Sequence, residues 1–275
     1  MARRSRGVSA GELSLRVVAA VLALFLGLPV VVLLVRSVAT GALANALTTE
    51  VVLDALQLSL ITTSVSLVIT IAFGLPLAVV LARRSFRGSG LLEAVVDLPI
   101  VLPPAVAGLG LLLVFGRRGF LGEPLANVFG VSIPFTTFAV VLAQVFVSAP
   151  FFIRSARTGL ASVPKELEDA ARVDGASELY LFRRVTIPIA QAALAAGLVM
   201  TWARSLGEFG ATIMFAGNVQ GKTQTLPLVV YSEFNAGDLD ASIAAAAILV
   251  LAALGVLIAV RVLHWGRVLD DRSLG

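Results

Sequence analysis

Six apolar runs punctuate the chain, near residues 15–35, 56–82, 98–115, 135–153, 189–215 and 241–263. Each meets or approaches the length of about 20 residues that a helix needs to cross a hydrocarbon core of about 30 Å. The fold class that follows is an all-α integral membrane protein with about six transmembrane helices. Composition agrees: 58% of the 275 residues are hydrophobic and 14% are charged, against roughly 45–50% and about 25% in soluble domains. A soluble fold cannot hide that excess, whereas a lipid-facing surface can. The first run reads as a retained span rather than a cleavable leader, because it is too long and no small-x-small site follows it.

The residues present exclude several kinds of chemistry. The chain has no cysteine, so disulfides and thiolate metal sites are ruled out. Its one histidine, His264, lies among Arg261, Trp265 and Arg267 and reads as an interfacial residue rather than a ligand. The net charge of +4 does not point to nucleic acid. The basic residues flank the apolar runs, as membrane orientation requires.

Orientation follows from those flanks. With the N-terminus in the cytoplasm, the cytoplasmic segments carry Arg3, Arg4, Arg6, Arg16, Arg83, Arg84, Arg87, Arg154, Arg157, Lys165, Arg172, Arg183, Arg184, Arg261, Arg267 and Arg272. The external segments carry Arg36, Arg117, Arg118 and Lys222, and Arg204 falls inside a span. Sixteen against four predicts that both termini of this multi-pass membrane protein lie in the cytoplasm.

Prolines interrupt the third run at Pro99, Pro103 and Pro104, and Pro76 and Pro29 lie in the second and first. Each removes a backbone donor and disturbs the preceding turn. In lipid, the freed carbonyls need protein partners or a water-filled cavity. The Pro103–Pro104 pair therefore reads either as a bend around a pathway or as an ordinary kinked span. In the fifth run, small residues recur at Ala192 and Ala196 and at Ala193 and Gly197, a pattern that permits close helix packing.

The loop 154–188 differs from every other connection in its length and charge. It predicts two short helices. Ser162 would cap the first, with Pro164 at its first helical position and Gly175 at its end. Ser177 would cap the second, through Glu178 to Arg184, before Pro188 opens the next span. The apolar positions Leu167, Ala170, Ala171 and Val173 would be exposed on such a hairpin unless a cytoplasmic partner covered them.

Asp169-Ala170-Ala171, three residues, Gly175, nine residues and Val185-Thr186-Ile187-Pro188 resembles the EAA motif of ABC importer permeases. That motif reads Glu-Ala-Ala, three residues, Gly, nine residues, Ile-x-Leu-Pro. Asp for Glu, Val for Ile and Ile for Leu are mild departures. The resemblance implies a type I permease fold, with a cytoplasmic coupling-helix hairpin between the fourth and fifth spans. It also implies an ATPase-coupling set of Asp169, Ala170, Ala171, Gly175, Ile187 and Pro188, with the coupling helix seated in a groove of the ATP-hydrolysing subunit.

Ala216-Gly217-Asn218-Val219-Gln220-Gly221-Lys222-Thr223 has the look of a phosphate-binding loop. Such a loop follows a buried strand and opens a helix. This one follows a membrane helix on the external side, where there is no ATP, so a Gly-rich turn is the better reading.

The block Arg204-Ser205-Leu206-Gly207-Glu208-Phe209-Gly210-Ala211 is similar to a signature shared by sulfate and molybdate/tungstate permeases. Thr223-Gln224-Thr225-Leu226-Pro227-Leu228 is more like the molybdate/tungstate branch, as is the stretch Asp97 to Gly108 with Phe115-Gly116-Arg117-Arg118-Gly119. Arg204 and Glu208 are four apart and would share one helix face, where they either line a pathway or lock two helices together. Thr201, Ser205 and Thr212 offer hydroxyls for lining or for packing. The candidate pathway or gate set is thus Pro103, Pro104, Arg204, Ser205, Glu208 and Thr212.

The expected function is a non-catalytic, channel-forming subunit of an ATP-driven importer for molybdate/tungstate-type oxyanions, with sulfate as the alternative cargo. The expected architecture is one permease domain, 1–275, with its core at 56–240. The implied partners are a second copy of the chain, two cytoplasmic ABC ATPase subunits, an external oxyanion-binding protein and the lipid bilayer, with no nucleic acid. No cofactor is expected on this chain, since ATP belongs to the partner. A membrane-embedded enzyme would need a His-rich, paired-acid or Cys cluster in the spans, and the docking loop argues against a stand-alone channel.

Overall fold

The computed structural model describes residues 10–83 and 86–273, the side chains of 10, 13 and 259–273 excepted. Arg3, Arg4, Arg6 and Arg84 lie outside the described residues, as do the side chains of Arg261, His264, Trp265, Arg267 and Arg272. Helix α1 (Ala10–Ala39) leads through the short α2 (Ala42–Ala46) into α3 (Glu50–Arg83). Helices α4 (Ser89–Val101) and α5 (Pro104–Phe115) form a bent pair, followed by the short α6 (Gly122–Phe129) and the long α7 (Thr137–Ala161). The loop helices α8 (Lys165–Val173) and α9 (Glu178–Leu181) come next, and a π-helical turn (Phe182–Thr186) joins α9 to α10 (Ile187–Leu206). Then come α11 (Gly210–Phe215), α12 (Leu226–Ala236) and α13 (Leu239–Ser273). Five of these helical stretches are long and apolar enough to cross a membrane, and α4 with α5 makes a sixth if the bent pair is one span.

Two expected spans are broken rather than continuous. The run 98–115 divides between α4 and α5, which meet at 117°. Pro99 is carried inside α4 without ending it. The break falls at Leu102, whose ψ of 133° is the extended backbone that a residue before proline prefers, and Pro104 then occupies the first turn of α5. The run 189–215 stops at Leu206 and resumes as α11, with residues 207–209 outside both helices.

The loop also differs in detail from its sequence reading. Ser162 does not cap α8. It is the C-cap residue of α7, and its hydroxyl donates back to Gly159 O at 2.8 Å. Pro164 is itself the N-cap residue of α8 rather than its first helical residue. Ser177 does cap α9, accepting from Tyr180 N–H at 3.3 Å. The second short helix is not separate, because α9 runs through the π turn into α10. There Ile187 N–H bonds to Phe182 O, five residues back. Pro188 lacks the donor that a regular turn would use at the next step, which favours the wider turn before it.

At the centre, α3 packs along α7, and α7 along α10. The buried face of α3 is a stripe of small and hydroxyl residues: Ser59, Thr62, Thr63, Ser66, Thr70, Gly74 and Ala78. Its large side chains, among them Leu60, Ile61, Val68 and Phe73, point outward. This is the arrangement expected in lipid, where small residues allow close approach and large aliphatic groups lose nothing by facing the acyl chains. Between α7 and α10, a Cβ added at Gly197 would fall 2.9 Å from Ser155 Cβ, and one at Gly159 would fall 2.5 Å from Ala193 Cβ. Ala193 and Gly197 are therefore the close-packing pair, while Ala192 and Ala196 are exposed. Helix α1 packs on α2 and α13 and leaves its apolar span outside the bundle core.

Candidate functional site

The EAA-like segment forms an exposed turn on a braced helix. After α8, Gly175 takes φ +84°, a left-handed conformation that suits glycine. Its N–H bonds to Arg172 O, and Ala176 N–H bonds to Ala171 O, both at 3.0 Å. These two bonds make a Schellman cap, which satisfies carbonyls left open by the end of the helix. Asp169 and Ala170 are exposed and Ala171 is half-buried. Val173 is 86% exposed and Leu167 is 50% exposed, and Tyr180 lies open on α9. A cleft of about 580 Å³, lined by Ala171, Asp174, Gly175, Ala176, Ser177 and Tyr180, opens beside the turn. Ile187 and Pro188 are apart from this surface in role, since they start α10 after the π turn.

Arg172 stiffens the turn. It reaches Asp169 Oδ1 with Nη1 and Glu178 Oε1 with Nε, both at 2.8 Å, and so links α8 to α9. The hydrogen bond to Glu178 above all raises the guanidinium pKa above its ordinary value, so the link keeps its charge.

One element of the site is absent from the sequence reading. Glu168, the residue before Asp169, turns inward and is 7% exposed at its side chain. Arg83 at the end of α3 grips it with both terminal nitrogens, Nη1 donating to Oε2 at 2.8 Å and Nη2 to Oε1. Thr186 of the π turn donates its hydroxyl to Oε1 at 2.8 Å. Arg157–Glu93 at 2.8 Å and Arg154–Asp97 at 3.4 Å tie α7 to α4.

The gate candidates gather around the two helix breaks. Pro103 and Pro104 are exposed at the α4–α5 break. Arg204 and Glu208 do not share one helix face, because α10 ends at Leu206, before Glu208. They meet all the same, Arg204 Nη1 lying 2.7 Å from Glu208 Oε2. The other carboxylate oxygen accepts from Ala211 N–H at 2.8 Å and so caps α11. The Glu208 side chain is 1% exposed and that of Arg204 is 29% exposed. Ser205 is buried in a hydroxyl chain, accepting from Ser66 at 3.1 Å and donating to Ser148 at 2.8 Å. Thr201 donates to Ser148 O at 3.4 Å, and Thr212 is fully buried. Glu208 thus joins the two sides of the α10–α11 break, with Ser205 buried before it and Thr212 buried after it. The α3 hydroxyl stripe that meets Ser205 is absent from the sequence reading, although serines and threonines at helical spacing through 59, 62, 63, 66 and 70 were a signal for it.

The segment 216–223 cannot cradle a phosphate in the way that its spelling suggests. It joins α11 to α12, with no strand before it among the described residues. The N–H groups of Lys222, Thr223 and Gln224 converge on the carbonyl of Val219, and the Thr223 hydroxyl accepts from Val219 N–H. Most of the donors that a nucleotide would need, those of Gly217, Val219, Lys222 and Thr223, are spent on nearby groups of the chain.

The chain matches the family model described as "Binding-protein-dependent transport system inner membrane component" over residues 74–266. It is 42% identical over 179 residues to the molybdenum transport system permease protein ModB of Escherichia coli K12, covering 65% of this chain and 78% of that protein. It is 43% identical over 199 residues to ModB of Mycobacterium bovis, covering 72% of this chain and 75% of that protein. Among solved structures it resembles a bacterial ABC transporter that imports the acidic polysaccharide alginate, with a TM-score of 0.72 at 16% identity over 93% of this chain and 94% of that one. That likeness speaks for the fold alone. The chain belongs to the binding-protein-dependent transport system inner membrane components, the multi-pass permease subunits of ABC importers.

Proposed function

We propose that this permease carries molybdate- or tungstate-type oxyanions inward across the plasma membrane, with both termini and the loop 154–188 in the cytoplasm. Two copies form the pathway as single permease domains, 1–275, each with its core at 56–240. Two ATPase subunits dock on the turn of Asp169, Ala170, Ala171 and Gly175, while Ile187 and Pro188 set the start of the span behind it. An external binding protein delivers the anion. Closure of the ATPases moves the turns and alternates access. Pro103, Pro104 and Arg204 face the pathway at the helix breaks, and Ser205, Glu208 and Thr212 brace them.

The observation that carries the mechanism is the exposed, Schellman-capped turn on a helix anchored from beneath. A free loop would absorb a push, whereas this one can transmit it. The cargo is inferred from the two ModB relatives at 42% and 43% identity. The test is ATP hydrolysis by the purified complex with its ATPase and binding protein. Molybdate and tungstate should stimulate it and sulfate should not. Stimulation by sulfate alone would transfer the assignment to a sulfate importer.

A further inference from the structure

We propose that Arg83 is a positioning residue for energy coupling: with Glu168 and Thr186 it fastens the docking helix to two membrane spans, so that a displacement of the turn reaches both as one body. The inference rests on the reading of α8 and Gly175 as the ATPase-docking turn.

Helix α8 cannot be held by hydrophobic packing. It has nine residues, its apolar side chains Leu167 and Val173 point outward, and its one buried residue is Glu168. What holds it is therefore polar and converges on that carboxylate. Arg83 brings in the end of α3. Thr186 brings in the π turn that leads into α10. The cleft around the group, about 380 Å³, also contains Lys165, Asp169, Arg172 and Glu178. Arg172 is already shared between Asp169 and Glu178, and among the described residues the cation paired with Glu168 is Arg83.

Both anchors suit transmission. A two-pronged guanidinium–carboxylate contact fixes orientation as well as distance, which a lysine ammonium does not. The π turn widens the backbone just where the Thr186 hydroxyl meets Glu168, and such insertions are frequent at functional sites. Separating the pair during the cycle would leave a largely buried charge without compensation. The clamp is therefore expected to stay closed while α8, the end of α3 and the start of α10 move together. Breaking it would let α8 swing alone and would lose the stroke.

The experiment uses the full complex in liposomes with its binding protein and molybdate. It reads ATPase-subunit retention, ATP hydrolysis and uptake per ATP. Arg83→Lys and Glu168→Gln should retain the ATPase subunit and hydrolyse ATP, while uptake per ATP falls by about tenfold, as loss of a charge-assisted bond at a transmitting contact implies. Thr186→Val should fall less. The exchange Arg83→Glu with Glu168→Arg should recover part of the coupling, a recovery that general destabilisation would not give. Unchanged uptake per ATP in both single variants overturns the clamp. If the single variants do not assemble, the exchange decides: recovered coupling supports the clamp, and an assembled complex without recovery overturns it. Gly175→Val, measured alongside, separates the two readings. If it too leaves retention and uptake normal, the docking turn itself is misassigned. If it uncouples while the clamp variants do not, the clamp alone fails.

Discussion

Gly210 lies against Pro104 so closely that an added Cβ would fall 2.7 Å from the proline Cβ and 3.2 Å from Ala105 N. Each residue opens a helix after a break, Pro104 in α5 and Gly210 in α11. A second contact continues the seam: a Cβ at Gly108 would fall 2.6 Å from Ala211 O and 2.7 Å from Met214 Cβ. The two broken spans thus cover each other. This is the condition under which lipid tolerates non-helical backbone, since an unpaired group must be buried in protein or face water.

That seam should resist any added carbon. Overpacking a well-filled contact costs typically about 1–3 kcal/mol, and a melting midpoint shifts by about 2–4 °C per kcal/mol at this chain size. Gly108→Ala and Gly210→Ala should each lower the unfolding temperature of the purified subunit by several degrees. Gly27→Ala, where nothing lies within 4 Å, should not. Equal melting temperatures for Gly108→Ala and Gly27→Ala would show that the seam is looser than described.

Glu208 joins α10 to α11 twice, through Arg204 and through Ala211 N–H. Removing one partner of a buried ion pair costs about 3–5 kcal/mol, chiefly because the other charge is stranded. Glu208→Ala should therefore reduce the amount of folded protein in the membrane far more than Glu208→Gln, which keeps an acceptor for the cap. Pairing Glu208→Gln with Arg204→Met removes both charges and should regain stability over Glu208→Gln alone. Thermal unfolding of the three variants checks the order. A double variant less stable than Glu208→Gln would refute the stranded-charge account.

Orientation can be read with two labels, since the chain has no cysteine of its own. Ser162 and Asn218 are both exposed. The basic bias places Ser162 inside and Asn218 outside. An impermeant thiol reagent on intact cells should label Asn218→Cys and spare Ser162→Cys. The reverse pattern would invert the topology and move the docking turn to the wrong side of the membrane.

Lys222 offers a separate check on the apparent phosphate loop. Its carbonyl accepts from the Thr137 hydroxyl at 2.9 Å, which ties the turn to the start of α7. Lys222→Ala should leave nucleotide binding by the complex unchanged, measured with a fluorescent ATP analogue. Loss of that binding would mean that the turn does hold phosphate.

Much of the architecture was readable because lipid imposes one dominant rule, a long apolar run. Residues 56–82 satisfy that rule and lie in α3, and the run 135–153 lies in α7 from Thr137 onward. The breaks were harder to place. Hydropathy does not change at Leu102, the charges of Arg204 and Glu208 flank Leu206 without fixing where the helix stops, and the bends depend on backbone groups that a neighbouring helix must cover. The Schellman turn at Gly175 could be anticipated, because its determinants are local. The Arg83–Glu168 contact could not, since it joins residues 85 positions apart and nothing local distinguishes Glu168 from the exposed acids Glu166 and Asp169. The α3 hydroxyl stripe was not read from the sequence, since only the packing of α7 and α10 shows which face of α3 is inside.

The docking turn gives the sharpest prediction because its sterics and its backbone can be separated. Gly175 has open space where a Cβ would go, so its need for glycine is one of φ, at +84°. A left-handed residue with a Cβ pays about 1–2 kcal/mol, and a β-branched side chain resists it most, whereas asparagine tolerates it. Gly175→Val should distort the Schellman cap, and Gly175→Asn should keep it. Ala171→Glu leaves the cap alone but puts a carboxylate into the cleft beside Asp174. Both positions, Ala171 on α8 and Gly175 in the turn after it, lie outside the span cores, so the membrane helices should fold normally and elute as a monodisperse peak. Capture of the oxyanion by the external binding protein should be unaffected, because it takes place on the other side of the membrane. Gly175→Val and Ala171→Glu should weaken ATPase association and stop uptake, and Gly175→Asn should retain much of both. Following association and uptake together decides the matter: normal uptake in Gly175→Val or Ala171→Glu with the ATPase still bound would remove the coupling role from this turn.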